Sequence, residues 1–203
     1  MDTKKHWENR YETTEAEKLT WYQSKPSVSL GLIEKSCTPQ EALLDVGAGA
    51  STLVDHLLER GFTDVTLLDL SESALNTTRS RLGARGEQVN FIATDITSWE
   101  PAQQYSLWHD RAVFHFLTES QDREAYKLAL LSGLKPGGTL VMGTFAIGGP
   151  EKCSGLPIRQ YDQARLEEFL GPDFVCQGTQ LEEHPTPAGN TQLFHVASFQ
   201  RKS

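Results

Sequence analysis

Apolar bursts alternate with amphipathic stretches along most of this chain, and that rhythm predicts strands and helices taking turns around a mainly parallel sheet. Residues 41–46 read as a first strand running into glycines. Residues 51–60 follow as a helix, because Leu53, Val54, Leu57 and Leu58 recur at helical spacing before Gly61 stops them. Residues 64–70 form a second strand, and Ser71 caps a helix over 72–82. Residues 89–94 and 105–110 are the third and fourth strands. A helix over 121–134 closes in the turn Lys135-Pro136-Gly137-Gly138, and the fifth strand covers 139–145. A helix over 162–170 precedes two last strands, 174–180 and 192–200, separated by the loop His184-Pro185-Thr186-Pro187-Ala188-Gly189. Two strands with no helix between them predict an antiparallel hairpin at the sheet edge.

Residues 1–40 precede this unit and carry Trp7, Tyr11, Trp21 and Tyr22 on two expected helices. The leader is too short to bury a core of its own, so it packs on the 41–203 domain, either capping the fold or closing over its site as a lid. A length of 203 residues suits one α/β domain. The formal charge of −8 argues against wrapping nucleic acid by phosphate neutralisation. No run of eighteen apolar residues predicts a membrane span, and the polar start MDTKKHWENRY lacks the apolar centre of a signal peptide. Three widely spaced cysteines without a CxxC argue against a disulfide scaffold or structural zinc, and fit reduced thiols in a cytoplasm.

The densest chemical signal is Leu43-Leu44-Asp45-Val46-Gly47-Ala48-Gly49-Ala50-Ser51, a strand that meets two glycines and then a helix. Glycines allow a tight turn and close approach of a ligand to the backbone. Asp45, just before the first glycine, disfavours a pyrophosphate and suits a cationic or amino-bearing ligand. Asp69 follows 24 residues later at the end of the second strand, where an acid can accept both hydroxyls of a ribose. Asp95-Ile96 closes the third strand, with Asp95 able to accept from an adenine amino group and Ile96 to pack on the ring. Three acids at three successive strand ends point to a phosphate-free nucleoside lying across the carboxyl edge of the sheet.

The ordered set Asp45-Val46-Gly47-Ala48-Gly49, Asp69-Leu70-Ser71, Asp95-Ile96 and Leu134-Lys135-Pro136-Gly137-Gly138 resembles the class I S-adenosylmethionine-dependent methyltransferases over roughly residues 40–200. Ser51 departs from the pattern where many members carry a third glycine. The resemblance implies a Rossmann-like seven-stranded sheet, mostly parallel with its last strand antiparallel, and helices on both faces. It implies S-adenosylmethionine as cofactor, with Asp45, Gly47, Ala48 and Gly49 around the methionine part, Asp69 and Leu70 at the ribose, and Asp95 and Ile96 at adenine. A narrower likeness, in His6-Trp7-Glu8-Asn9-Arg10-Tyr11 with Trp21-Tyr22 and in Leu107-Trp108-His109-Asp110-Arg111-Ala112-Val113-Phe114-His115-Phe116, is to small methyltransferases related to the thiopurine and eukaryotic lysine enzymes. It implies that Trp7, Tyr11 and Trp21 help enclose the cofactor and that the fourth strand reaches the transferred methyl.

His115, just past the fourth strand, is a candidate general base because imidazole titrates near neutrality. Asp110 or His109 would orient it; the alternative is a helix-start histidine with a satisfied hydrogen bond. Arg111 is a candidate for a cofactor or substrate carboxylate, against a surface ion pair. His109, Asp110 and His115 offer too few ligands to predict a metal. Cys153 lies in a loop near the expected substrate opening. No Asn-Pro-Pro-Tyr-type sequence follows the fourth strand, which in this family disfavours amide and adenine nitrogens as acceptors. A small-molecule acceptor is expected, with a protein side chain as the competing substrate and a non-catalytic cofactor-binding protein as the remaining alternative.

Overall fold

The computed structural model describes residues 2–203. One sheet of seven strands forms the frame: β1 (Leu43–Val46), β2 (Val65–Asp69), β3 (Val89–Ala93), β4 (Tyr105–Arg111), β5 (Leu134–Phe145), β8 (Phe174–Pro185) and β9 (Thr191–Arg201). Its order is β3-β2-β1-β4-β5-β9-β8. The first five strands run parallel, and β9 enters antiparallel between β5 and β8. The mostly parallel sheet, the antiparallel last strand and the edge hairpin agree with the pattern of the sequence.

Helices cover both faces because neighbouring strand residues point opposite ways. Leu43, Val65, Leu67, Leu107 and Val141 meet α2 (Ser27–Ser36), α3 (Leu53–Glu59) and α4 (Glu72–Leu82) in one core layer. Leu44, Val46, Leu68, Trp108, Leu140 and Met142 meet α5 (Ser120–Gly133) and α6 (Gln163–Leu170) in the other. In that second layer the Trp108 indole N–H donates to the Tyr126 hydroxyl at 3.0 Å, and this hydroxyl donates to Asp110 at 2.7 Å. A buried carboxylate of this kind holds its place only while its partners are complete.

The leader forms α1 (Thr3–Thr13), a short 3₁₀ turn (Ala16–Lys18) and α2. Glu8 of α1 reaches the start of α4, accepting from the Ser71 hydroxyl at 2.9 Å and from the backbone N–H groups of Glu72 at 2.8 Å and Ser73 at 3.1 Å. These are donors that a helix start leaves without intrahelical partners, and a carboxylate there also complements the helix dipole.

Several boundaries differ from the sequence expectation for identifiable reasons. Strand β5 begins at Leu134 rather than 139, because Leu134 already pairs with Tyr105 before a register shift, so the Lys135-Pro136-Gly137-Gly138 stretch expected as a turn lies within the strand. Helix α3 starts at Leu53 rather than 51, because the glycine turn runs on and the Ser51 hydroxyl accepts from the Leu53 N–H at 3.1 Å. Strand β8 runs to Pro185, well past 180, with inverted polarity at its end: Leu181 faces solvent at 64% exposure while Glu182 and His184 are buried. Glu182 turns in to meet Arg111 and Gln23, and a His184 ring nitrogen meets the Thr20 carbonyl at 2.8 Å. The segment around Cys153, read as loop, is a small hairpin of β6 (Lys152–Cys153) and β7 (Leu156–Pro157). Its turn residues Ser154 and Gly155 have φ of 50° and 80°, the left-handed pair that tight hairpins require.

Candidate active site at the carboxyl edge of the sheet

The glycine loop sits where β1 ends. Gly47 and Gly49 have φ of 66° and 52°, which L side chains rarely adopt. A Cβ on Gly47 would collide with Val113, and one on Gly49 with the Tyr11 hydroxyl. Asp69 pins this loop from β2: one carboxylate oxygen accepts from the Gly49 N–H and the other from the Ser71 N–H, each at 2.8 Å. A carboxylate has about four acceptor positions, so two remain for a ligand. Burial raises the Asp69 pKa to about 6, opposed by the Ser71 and Gly49 N–H groups and reinforced by nearby Asp45 and Glu8.

A cavity of about 240 Å³ opens along the ends of β1 to β4. Asp69, Leu70, Asp95, Ile96 and Gly47 line one side; Trp7, Tyr11 and Trp21 of the leader line another, with Phe116, Val113 and Cys153 beside them. The Trp7 ring stands edge-on to Trp21 at 5.6 Å and to Phe116 at 5.1 Å. A narrower arm of about 60 Å³ continues past Tyr11, Trp21, Gly47 and Arg111 to Ala48, Asp45, His109 and Ser29. Gly49 borders the cavity through Tyr11. Every sequence-nominated cofactor residue except Gly49 lines one of these two adjoining spaces, which share Tyr11, Trp21, Gly47 and Arg111. Asp95 lies two residues beyond the end of β3, in a turn where its Oδ1 accepts from the Thr97 N–H at 2.9 Å and the Thr97 hydroxyl at 2.7 Å.

The two residues nominated for acid–base chemistry lie elsewhere. His115 is fully buried among Phe116 and Phe145, with ring centroids 4.5 and 4.7 Å away, and its Nδ1 accepts from the Phe145 N–H at 3.3 Å. Burial, with the positive charge of Arg111, lowers its pKa to about 3. Asp110 is also fully buried, holding Tyr126 and the N–H groups of Val113 and Phe114, and burial raises its pKa to about 6. Neither lines the cleft, and neither Asp110 nor His109 bonds to His115. The expectation of a His115 base oriented by Asp110 is therefore corrected: the aromatic core, not the cleft, claims both side chains. Among the described residues His109, Asp110 and His115 each have separate partners, Asp45 and Ser29 for the first, Tyr126 for the second and the Phe145 N–H for the third.

Arg111 reaches both parts of the cleft. Its Nε donates to Glu182 at 3.4 Å and its guanidinium lies over the Phe194 ring at 4.2 Å, while one terminal nitrogen is buried without a partner. Cys153, beside it, has its thiol pKa pushed up to about 12 by burial, so it stays protonated. Val113 and Phe116 reach the cleft from the segment after the fourth strand, whereas sequence reasoning missed Ser29, Gln23 and Asp122, which arrive from distant elements with no local motif.

A parallel sheet with helices on both faces, a glycine turn and strand-end carboxylates define a Rossmann-like nucleoside-binding domain. A family model described as "Methyltransferase domain" matches residues 43–138. The chain is 25% identical over 193 residues to the eEF1A lysine and N-terminal methyltransferase of Bos taurus, covering 94% of this chain and 26% of that protein. It is 28% identical over 184 residues to thiocyanate methyltransferase 1 of Arabidopsis thaliana, covering 88% of this chain and 76% of that one. A SAM-dependent methyltransferase structure from Anabaena variabilis superposes with a TM-score of 0.78 at 17% identity, covering 100% of this chain and 96% of that one. The chain spans about a quarter of the length of the bovine relative. In the matched stretch and across these relatives the chain is similar to class I S-adenosylmethionine-dependent methyltransferases.

Proposed function

We propose that this chain transfers a methyl group from S-adenosylmethionine to a small-molecule nucleophile. The observation that carries the reading is the cleft itself: Asp45, Asp69 and Asp95 line it, and at Gly47 and Gly49 its glycine turn is too tight for a side chain. Carboxylates there suit hydroxyl and ammonium groups and oppose phosphates. Asp69 would hold the ribose, Asp95 and Ile96 the adenine, and Asp45 with Gly47, Ala48 and Gly49 the amino-acid tail. When bound, the cofactor supplies a methyl on a good leaving group. The chain's part is to align the acceptor and exclude water. Trp7, Trp21 and Phe116 form the apolar wall that keeps solvent out, and residues 1–40 act as a lid on the 41–203 domain. With His115 sealed in the core, the fitting acceptor is nucleophilic without it: a thiolate, a neutral amine, a carboxylate or a metalloid oxyanion. The unpartnered guanidinium nitrogen of Arg111 makes anionic acceptors the first to test. A cytoplasmic setting agrees with Cys37, Cys153 and Cys176, all free.

A lysine-type protein acceptor is the second reading, favoured by the bovine relative's name and its match across 94% of this chain. Release of S-adenosylhomocysteine from a panel of thiols, amines, carboxylates, metalloid oxyanions and lysine peptides separates the readings. Turnover of small anions, weakened by Arg111→Gln, supports the first. Turnover of peptides alone replaces it with the second, and binding without any turnover leaves a cofactor-binding protein.

A further inference from the structure

The narrow arm of the cleft ends on a buried chain of three side chains from three elements. The His109 Nδ1 lies 2.6 Å from Asp45 Oδ1, and its Nε2 lies 2.8 Å from the Ser29 hydroxyl. Asp45 is the last residue but one of β1, His109 lies on β4 and Ser29 on the first turn of α2, and their exposures are 3%, 4% and 4%. Asp45 and His109 are register partners on adjacent parallel strands, so both side chains leave the same face of the sheet side by side. A carboxylate has no hydrogen to give, so His109 Nδ1 donates to Asp45; the Ser29 hydroxyl, able to donate or accept, meets the other ring nitrogen. Asp45 Oδ2 makes no hydrogen bond among the described residues. The cation in the same arm, Arg111, is paired with Glu182 rather than with Asp45.

A carboxylate with one oxygen tied to an imidazole presents the other in a single direction, and a nearly buried charge calls for a partner there. We propose that His109 and Ser29 are positioning residues that aim the free oxygen of Asp45 at the ammonium of the bound cofactor's amino-acid tail, so that helix α2 takes part in recognising that cation. This deepens the S-adenosylmethionine reading and rests on it.

Calorimetry on the full chain tests it with three ligands: S-adenosylmethionine, its decarboxylated form, which keeps the ammonium, and methylthioadenosine, which lacks the whole tail. His109→Gln is expected to weaken the first two by about tenfold and Ser29→Ala by about threefold, with methylthioadenosine changed by less than about twofold. Should His109→Gln fail to fold, Ser29→Ala alone carries the comparison. An equal loss for all three ligands would overturn the proposal, because a collapsed pocket spares none. So would a loss confined to S-adenosylmethionine, which would assign the pair to the carboxylate. Hydrolysis of p-nitrophenyl acetate that disappears in Ser29→Ala would make Ser29 a nucleophile instead. Variants that bind as wild type does sink the relay alone, whereas a wild-type chain that binds none of the three sinks the cofactor reading with it.

Discussion

The two sides of the cleft are built by different means. Along β1, β2 and β3 the wall is backbone fixed by carboxylates: Asp69 ties the Gly49 N–H to the Ser71 N–H, and Asp95 closes its own turn on Thr97. Along β4 and β5 the wall is side chain against side chain from far along the sequence, with Trp7 against Trp21 and Phe116, and Arg111 against Glu182 and Phe194. The first wall can present the same geometry to a common nucleoside, because few groups in it can turn. The second can be remade by single substitutions, which is what a fold serving many acceptors needs.

Breaking the rigid wall should produce the largest effect. Gly47→Ala combines a left-handed φ with a collision at Val113, and is expected to cost about 3 kcal/mol of stability and at least about a hundredfold in cofactor affinity. Thermal melts and calorimetry read both; a variant that binds normally would mean the loop has slack. Asp69→Asn comes next, at about tenfold in affinity. In the wild type, affinity should fall as pH drops through about 6, because the protonated carboxyl loses acceptor positions. Stability moves the other way: a carboxyl raised from 3.8 to about 6 takes up its proton earlier when folded, so its contribution to stability improves as pH falls from 6 toward 4. Asp69→Asn should flatten both trends, and an unchanged pH dependence would assign them to another group.

His115→Gln should have the smallest effect on turnover, less than about threefold, since a working general base typically contributes a hundredfold or more. A loss on that larger scale, with a shifted pH–rate profile, would return His115 to the chemistry. The same variant should change acid stability. The folded imidazole resists protonation down to about 3, whereas the unfolded chain binds its proton from about 6.5, so wild-type stability falls across that window. Removing the ring should flatten that fall.

The pattern of legibility follows the same division. The succession of strands and helices along the chain and the glycine turn are local statements, carried by periodicity and neighbouring residues, and Asp69 is found by its fixed distance from Asp45 along the chain. The fate of His115 is not local: Phe145 lies 30 residues on, and only tertiary packing decides that the ring faces the core. The extension of β8 was hidden because Glu182 and His184 reverse the expected polarity to meet Arg111 and the leader. Ser29 offered no signal at all, as a serine in an ordinary amphipathic helix becomes a cleft residue only once α2 lies over β4.

The grip of Glu8 on the start of α4 carries a practical corollary. A fragment beginning near residue 41 would keep the glycine turn and the strand-end carboxylates, yet would leave the amides of Glu72 and Ser73 without their acceptor and the Ser71 hydroxyl with only its bond from the Ala74 N–H. Trimming the chain to its recognisable portion would thus loosen the very wall by which it is recognised.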